Sequence, residues 1–177
     1  DPETLNKSLF DFQRYIVTKA AKMGKYAVFA DCGLGKTLMQ LEWARLVSEH
    51  TQTPVLILCP LAVAGQTIEE GVKFGIPVER LKSDVSGVGI YITNYDQLDK
   101  INASQFSGVV LDESSILKNY EGSTKNMVID YFQNTPYKLA CTATPSPNDF
   151  MELGHHSEFL NIMPRNEMLA MYFVHDG

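Results

Sequence analysis

Residues 30–37 have the sequence ADCGLGKT, in which a glycine-rich turn leads directly into a lysine and a threonine. Gly33 and Gly35 permit backbone angles that direct amide hydrogens at phosphate oxygens, and the start of the following helix adds partial positive charge. Lys36 could then reach the β- and γ-phosphates of a nucleotide, and the Thr37 hydroxyl could bind Mg²⁺. The stretch predicts a phosphate-binding loop for a nucleoside triphosphate with Mg²⁺. The predicted nucleotide contacts in this stretch are Gly33, Leu34, Gly35, Lys36, Thr37 and Leu38.

Two neighbouring carboxylates, Asp112 and Glu113, follow an apolar run at residues 109–111. Beside a phosphate loop, Asp112 would hold Mg²⁺ through water, and Glu113 would polarise the water that attacks the γ-phosphate. An Asp-Glu pair at the end of a strand can also be a solvated turn, but the phosphate loop in the right strand order favours the catalytic interpretation. We therefore predict Glu113 and Lys36 as catalytic residues, and Thr37 and Asp112 as metal ligands.

Short apolar runs alternate with helical stretches along the chain and would position these residues. The runs of strand length cover residues 26–30, 55–59, 89–93, 109–112 and 138–142. The stretches with helical periodicity cover residues 11–23, 37–49, 62–74, 95–101 and 123–132. Strands that are apolar on both faces and separated by helices predict an α/β fold, a three-layer α/β/α domain with a mainly parallel central sheet. In such sheets ligands bind at the carboxyl ends of the strands, where the chemically informative residues occur.

The composition predicts one soluble domain. The chain has 177 residues, 45% of them hydrophobic, and no apolar run long enough to cross a membrane. Because its beginning has no secretion signal, we expect a cytoplasmic protein. The three cysteines lack CxxC spacing and are expected to be reduced core thiols. A net charge of -6 gives no overall attraction to nucleic acid, so any such contact must come from a local patch or from another part of the protein.

Five further motifs lie in order around the phosphate loop. They are FDFQR at residues 10–14, LILCPLAVAGQ at 56–66, ITNYD at 92–96, DESSILKN at 112–119 and LACTATPSPN at 139–148. In this order they resemble the first RecA-like lobe of superfamily 2 helicases, and ITNYD and DExxxLKN resemble the Swi/Snf-type translocases among these DEAD/DEAH-box-like ATPases. The resemblance implies that residues 1–177 are an N-terminal ATP-binding lobe, cut from a polypeptide that carries a second RecA-like lobe.

The resemblance also implies roles for particular residues. Gln13, followed by Arg14, is similar to the glutamine of the Q motif, which recognises adenine, so the implied cofactors are ATP and Mg²⁺. Motif Ia, ITNYD and the end of the acidic motif face nucleic acid in this family. The implied nucleic-acid contacts are Pro60, Leu61, Gln66, Thr93, Asn94, Lys118 and Asn119.

Thr142, Ala143 and Thr144 resemble motif III, which in this family couples the state of the γ-phosphate to the nucleic-acid side. Ser115 stands where the family has a histidine that links the hydrolysis site to motif III. A serine can still donate and accept one hydrogen bond, which keeps a shorter link possible. The coupling set implied by the resemblance is therefore the motif III segment with Ser115.

The implied activity is ATP hydrolysis coupled to movement on nucleic acid, with double-stranded DNA as the expected partner. Arginines of the second lobe would complete the site, so the isolated lobe should hydrolyse ATP slowly. Two alternatives remain open. One is an RNA helicase, which is disfavoured because Ser-Ser rather than Ala-Asp follows the acidic pair; the other is an ATP-dependent docking switch that does not translocate, favoured by the departure at Ser115. The compact motifs suggest a bacterial or viral protein.

Overall fold

The apolar runs form the strands of one sheet in the computed structural model, which describes residues 5–7, 9–29, 35–82, 85, 87–112, 130–142 and 169–171. The strands are β1 (Lys25–Phe29), β2 (Pro54–Cys59), β3 (Glu79–Arg80), β4 (Gly89–Asn94), β5 (Gly108–Asp112), β6 (Tyr137–Thr142) and β7 (Leu169–Met171). They lie in the order β3-β4-β2-β5-β6-β1-β7, and every neighbouring pair is parallel. The five predicted strands are confirmed, and β3 and β7 extend the sheet by one short strand at each edge.

The helices of the described chain follow the predicted stretches closely. They are α1 (Asp11–Met23), α2 (Lys36–Thr51) and α3 (Ala64–Phe74), with 3-10 segments at Leu61–Val63, Tyr95–Lys100 and Ala103–Gln105. The stretch predicted as helical over 95–101 is a 3-10 segment because its buried residues Tyr95, Leu98 and Ile101 recur every third position, the period of that helix. The helix predicted over residues 123–132 lies outside the described residues except for its last three positions.

Strand β2 shows how the sheet is covered on both faces. Val55 and Ile57 belong to an apolar cluster with the helix residue Trp43. Leu56 and Leu58 point the other way, into a second cluster that includes the 3-10 residues and Phe132. Because alternate residues of a strand face opposite sides, a strand buried at every position requires a layer on each side. The predicted three-layer α/β/α architecture is confirmed.

Helix α2 occupies the centre of one outer layer. It contacts α1 and α3 on its flanks and strands β2, β4, β5 and β6 beneath it. Leu41, Trp43 and Ala44 have no exposed surface, and even the polar residues Gln40 and Glu42 are fully buried. A parallel sheet gathers all its carboxyl ends at one edge, and α2 begins at that edge. None of the described helices is long and apolar enough to span a bilayer.

Candidate functional site

The described part of the predicted phosphate loop begins at Gly35, which precedes α2. Its φ of 70° and ψ of 38° are left-handed, a conformation that favours glycine. A Cβ atom at this position would also overlap Nε2 of Gln13. The left-handed backbone therefore favours glycine at position 35, and a larger residue there would also have to displace the end of the Gln13 side chain.

Lys36 and Asp112 form the centre of the site. Nζ of Lys36 lies 3.3 Å from Oδ1 of Asp112, with side-chain exposures of 10% and 2% respectively. Asp112 is the last residue of β5, and Lys36 is the first of α2, so both stand at the carboxyl edge of the sheet. A carboxylate this deeply buried is costly without a partner, and the lysine supplies the compensating charge. The two residues predicted for phosphate and metal binding are thus in direct contact.

Two further residues hold Asp112 in place. Nε2 of Gln40 donates a hydrogen bond of 3.0 Å to the same Oδ1 atom, and the hydroxyl of Tyr95 donates one of 2.9 Å to the Asp112 backbone carbonyl. Sequence reasoning missed both. Gln40 could have been found from its position one helical turn after Lys36, since residues four apart share a helix face.

A cavity of about 290 Å³ opens beside this pair. Its wall is built from the start of α2, the end of β5 and one face of α3. The lining residues are Gly35, Lys36, Thr37, Val63, Gln66, Thr67, Glu70 and Asp112. Gln66, predicted as a nucleic-acid contact, therefore shares a cavity with Lys36. The side chain of Leu38, predicted to contact nucleotide, is buried in the core because α2 turns that position inward, and its contact with nucleotide stays a prediction.

Gln13 and Arg14, the predicted adenine-side residues, are arranged differently from each other. Gln13 is buried, with Nε2 against Gly35 and Oε1 accepting a 2.8 Å hydrogen bond from the backbone N–H of Phe10. Arg14 donates to the backbone carbonyls of Leu9 and Asn6 at 3.3 and 3.2 Å. Gln13 therefore adjoins the loop, whereas the described contacts of Arg14 brace the segment before α1.

Four predicted nucleic-acid residues lie together where β2 and β4 end. Pro60 and Leu61 follow β2, and the Leu61 side chain is 64% exposed. Thr93 and Asn94 end β4, which pairs directly with β2. Oδ1 of Asn94 accepts a 3.0 Å hydrogen bond from the backbone N–H of Asp96, so this side chain caps the next turn.

The remaining predicted site residues lie at the end of β6 or outside the described residues. Thr142 is described in its backbone only, as the last residue of β6, paired in register with Phe29. Outside the described residues lie Gly33, Leu34, Glu113, Ser115, Lys118, Asn119, Ala143 and Thr144.

The Cys59 thiol lies at the end of β2, near the site. Burial raises its pKa from its ordinary value of 9.0 to about 12; the Asp112 carboxylate adds to the rise, and Arg80 opposes it. Neither Cys59 nor Cys141 forms a disulfide within the described chain, and both are buried, as predicted for core thiols; Cys32 lies outside the described residues. Such a thiol stays protonated and does not act as a nucleophile near neutral pH.

The sequence is similar to that of a named DNA-processing protein, although no family model matches the chain. It is 27% identical over 164 residues to the DNA annealing helicase and endonuclease ZRANB3 of Mus musculus, and equally to that of Bos taurus. The alignment covers 82% of this chain but only 15% of either relative. The chain therefore spans a small part of the curated relatives that it matches.

Solved structures of similar fold agree with the sequence comparison. The Sulfolobus solfataricus SWI2/SNF2 ATPase core in complex with dsDNA superimposes with a TM-score of 0.75 at 25% identity, covering 91% of this chain and 37% of that one. The UvsW helicase from Bacteriophage T4 superimposes with a TM-score of 0.69 at 15% identity, covering 86% of this chain and 57% of that one, a likeness of fold alone. Motif order, fold and these similarities together show that the chain resembles the first RecA-like lobe of Swi2/Snf2-type ATPases.

Proposed function

We propose that this protein binds and hydrolyses ATP and uses the energy to move on double-stranded DNA. The single observation that carries the proposal is the contact between Lys36 and Asp112 at the carboxyl edge of the sheet. These are the cation expected to bind phosphate and the carboxylate expected to bind metal, brought together at the start of a helix. The similarity to a SWI2/SNF2 ATPase core supports the nucleic-acid part of the proposal.

The residues around the cavity fit a triphosphate with Mg²⁺. Thr37 and Asp112 offer a hydroxyl and a carboxylate to one cavity, and oxygen donors are the ligands that Mg²⁺ prefers. Bound there, the metal would neutralise charge on the phosphates. Lys36 would exchange its contact with Asp112 for one with the β- and γ-phosphates, and Gln13 would meet the adenine side of the loop. The cavity volume is near the lower end for small-molecule sites, which suits the phosphate part of a nucleotide.

The hydrolysis step needs a base and additional positive charge. We assign Glu113 to the polarisation of the attacking water, as its position after Asp112 suggests. Arginines of a second RecA-like lobe in the same polypeptide would stabilise the transition state, an effect that can be worth roughly 10³- to 10⁵-fold in rate. The 177-residue lobe by itself should therefore bind nucleotide yet turn it over slowly.

The nucleic-acid face would lie along the same edge of the sheet. Pro60 and Leu61 are next to Thr93 and Asn94 there, which supports a shared surface. Lys118 and Asn119 would add contacts to backbone phosphate. The coupling residues of the proposal are Ser115, Thr142, Ala143 and Thr144.

Nucleotide binding can be tested on the 177-residue chain by titration calorimetry with ATP and MgCl₂. We expect Lys36→Ala to weaken binding at least about tenfold, since the ammonium contacts two phosphates. Lys22→Ala, an exposed lysine on α1, is the matched control and should bind as the unaltered chain does. Equal affinities for the two variants would argue against the phosphate-loop assignment.

Nucleic-acid dependence requires the full polypeptide with its second lobe. We expect ATP hydrolysis to be stimulated by duplex DNA much more than by RNA, with stimulation that falls as salt rises. Greater stimulation by RNA would favour the helicase alternative. Absence of stimulation by either, with nucleotide binding intact, would favour a docking switch. Full motor rates from the 177-residue lobe alone would contradict the need for a second lobe.

A further inference from the structure

Glu70 places a second carboxylate in the cavity that holds Lys36 and Asp112. Helix α3 contributes Gln66, Thr67 and Glu70 to the lining, and Val63 directly before it adds a fourth residue; the helical spacing of these positions puts them on one face. Its neighbour Glu69 does not line the cavity and is exposed. Of two adjacent glutamates, the structure therefore turns one into the cavity that Lys36 also lines.

The charge of Glu70 is not offset by the described residues of the cavity. Lys36 is the only cation among the described lining residues, and it is already 3.3 Å from Asp112. Glu70 itself has no hydrogen bond or ion pair within the part of the chain that the structure describes. The described lining thus contains two carboxylates and one ammonium group, and it carries a net negative charge.

Helix α3 cannot easily move this carboxylate away. Its carboxyl-terminal end is tied down, because Nδ2 of Asn6 donates a 2.8 Å hydrogen bond to the Phe74 carbonyl. Gly71, directly after Glu70, packs so closely on the Ile76 carbonyl that a Cβ atom would not fit. The backbone N–H of Ile76 in turn donates to the Gly71 carbonyl at 2.8 Å. The backbone that carries Glu70 is therefore held in place beside the cavity.

We propose that Glu70 is a specificity-determining residue that makes the cavity select the metal complex of a triphosphate over the metal-free triphosphate. This inference rests on the proposed nucleotide site. A metal-free triphosphate has more negative charge than its magnesium complex, so a partly buried carboxylate repels it more strongly. Mg²⁺ removes much of that repulsion by neutralising phosphate charge. Glu70 thereby prevents unproductive occupation of the site by nucleotide that lacks the metal.

The test compares Glu70→Gln with Glu69→Gln by titration calorimetry of the 177-residue chain. Both changes remove one negative charge, from neighbouring positions of one helix, so a general effect of net charge appears equally in both. The probes are ATP and inorganic tripolyphosphate, each with MgCl₂ and with EDTA, at constant ionic strength. We expect Glu70→Gln to bind both metal-free probes about tenfold more tightly, with the magnesium complexes changed less than about twofold. Glu69→Gln should leave all four affinities unchanged.

The outcomes separate this inference from the function on which it rests. If the unaltered chain binds Mg-ATP but Glu70→Gln leaves the ratio of metal-free to metal-bound affinity unchanged, the role of Glu70 is wrong and the proposed function stands. An equal change in both glutamate variants also overturns the inference. Failure of the unaltered chain to bind either probe overturns both proposals. Glu70→Lys should shift the ratio further in the same direction, and a shift in the opposite direction would contradict the electrostatic mechanism.

Discussion

The ammonium group of Lys36 lies 3.3 Å from a carboxylate oxygen of Asp112, and the same oxygen accepts a hydrogen bond from Gln40. Three strands separate the two charged residues along the chain, yet the parallel sheet returns β5 to the point where α2 begins. The residues proposed to bind phosphate and metal at the carboxyl edge of the sheet consequently also contribute to the stability of the fold. Each partner compensates the other in a buried setting.

This pairing can be measured with Lys36→Met, Asp112→Asn and the double variant. Removing one partner leaves the other buried and uncompensated, so we expect each single change to lower the free energy of unfolding by more than half of what the double change costs. The coupling energy from urea denaturation should be about 1–3 kcal/mol. Additive effects, within about 0.5 kcal/mol, would show that the two groups do not interact in solution.

Gly35 and Gly75 provide a matched pair for substitution by alanine. Both have positive φ, 70° and 73°, but a Cβ at Gly35 overlaps Gln13 and one at Gly75 meets nothing within 4 Å. We expect Gly75→Ala to cost about 1–2 kcal/mol of unfolding free energy from backbone strain alone. Gly35→Ala should cost up to about 1 kcal/mol more, because the end of the Gln13 side chain must move aside. Thermal denaturation measures both.

The packing contribution at Gly35 has its own control. Adding Gln13→Ala to Gly35→Ala should recover part of the lost stability, because the obstructing amide is gone. If Gly35→Ala and Gly75→Ala cost the same, or if Gln13→Ala gives no recovery, Gln13 does not pack on the loop as described.

Gln40→Glu would place a carboxylate against Asp112 in a fully buried position. Repulsion between like charges raises the pKa of the introduced group in the folded state. Such a group is better tolerated at low pH, so the free energy of unfolding should fall relative to the unaltered chain as pH rises above about 4–5, by about 2 kcal/mol at neutral pH. Gln105→Glu, an exposed position, should show no such pH dependence. If Gln40→Glu lowered the free energy of unfolding equally at every pH, the cause would be the packing of the new side chain and not its charge.

The buried thiol of Cys59 predicts a loss of stability in alkali. In the folded protein its pKa is about 12, whereas an unfolded cysteine ionises near 9.0, so the unfolded state loses a proton first as pH rises through that window. The folded state is therefore penalised, and the free energy of unfolding should decrease. In urea titrations at several pH values, the stability advantage of the unaltered chain over Cys59→Ala should shrink above pH 9. A constant difference would contradict the raised pKa.

Local patterns predicted the inner strands because burial on both faces leaves a continuous apolar run, as at 55–59 and 109–112. Strand β3 gave no such signal, since Glu79 and Arg80 are both exposed and pair with a single neighbour. Strand β3 forms because the neighbouring strand β4 has backbone N–H and C=O groups available for pairing on its outer side. That is a property of the assembled sheet, which periodicity along the chain does not encode.

The residues of the candidate site also fall into two groups, those that the sequence predicted and those that only the structure revealed. Lys36 and Asp112 could be predicted because each belongs to a short motif at the end of a strand, and the motif itself indicates the chemistry. Gln40 and Glu70 were not, since each resembles an ordinary polar residue on a helix until tertiary packing turns it toward the carboxyl edge. Sequence reasoning therefore identified the residues that define the chemistry, and the structure was needed to find those that surround them.

Helix α2 begins at the proposed phosphate site and is buried along most of its length. Few of its amide groups could reach solvent by local fraying, so their hydrogen exchange should proceed through global unfolding. A ligand held at Lys36 would then slow exchange throughout the helix, far beyond the groups that it touches. Hydrogen exchange in the buried helix would therefore depend on whether a ligand is bound at the carboxyl edge of the sheet. For the same reason, binding of nucleotides and metals should raise the melting temperature of the whole domain in thermal-shift screening.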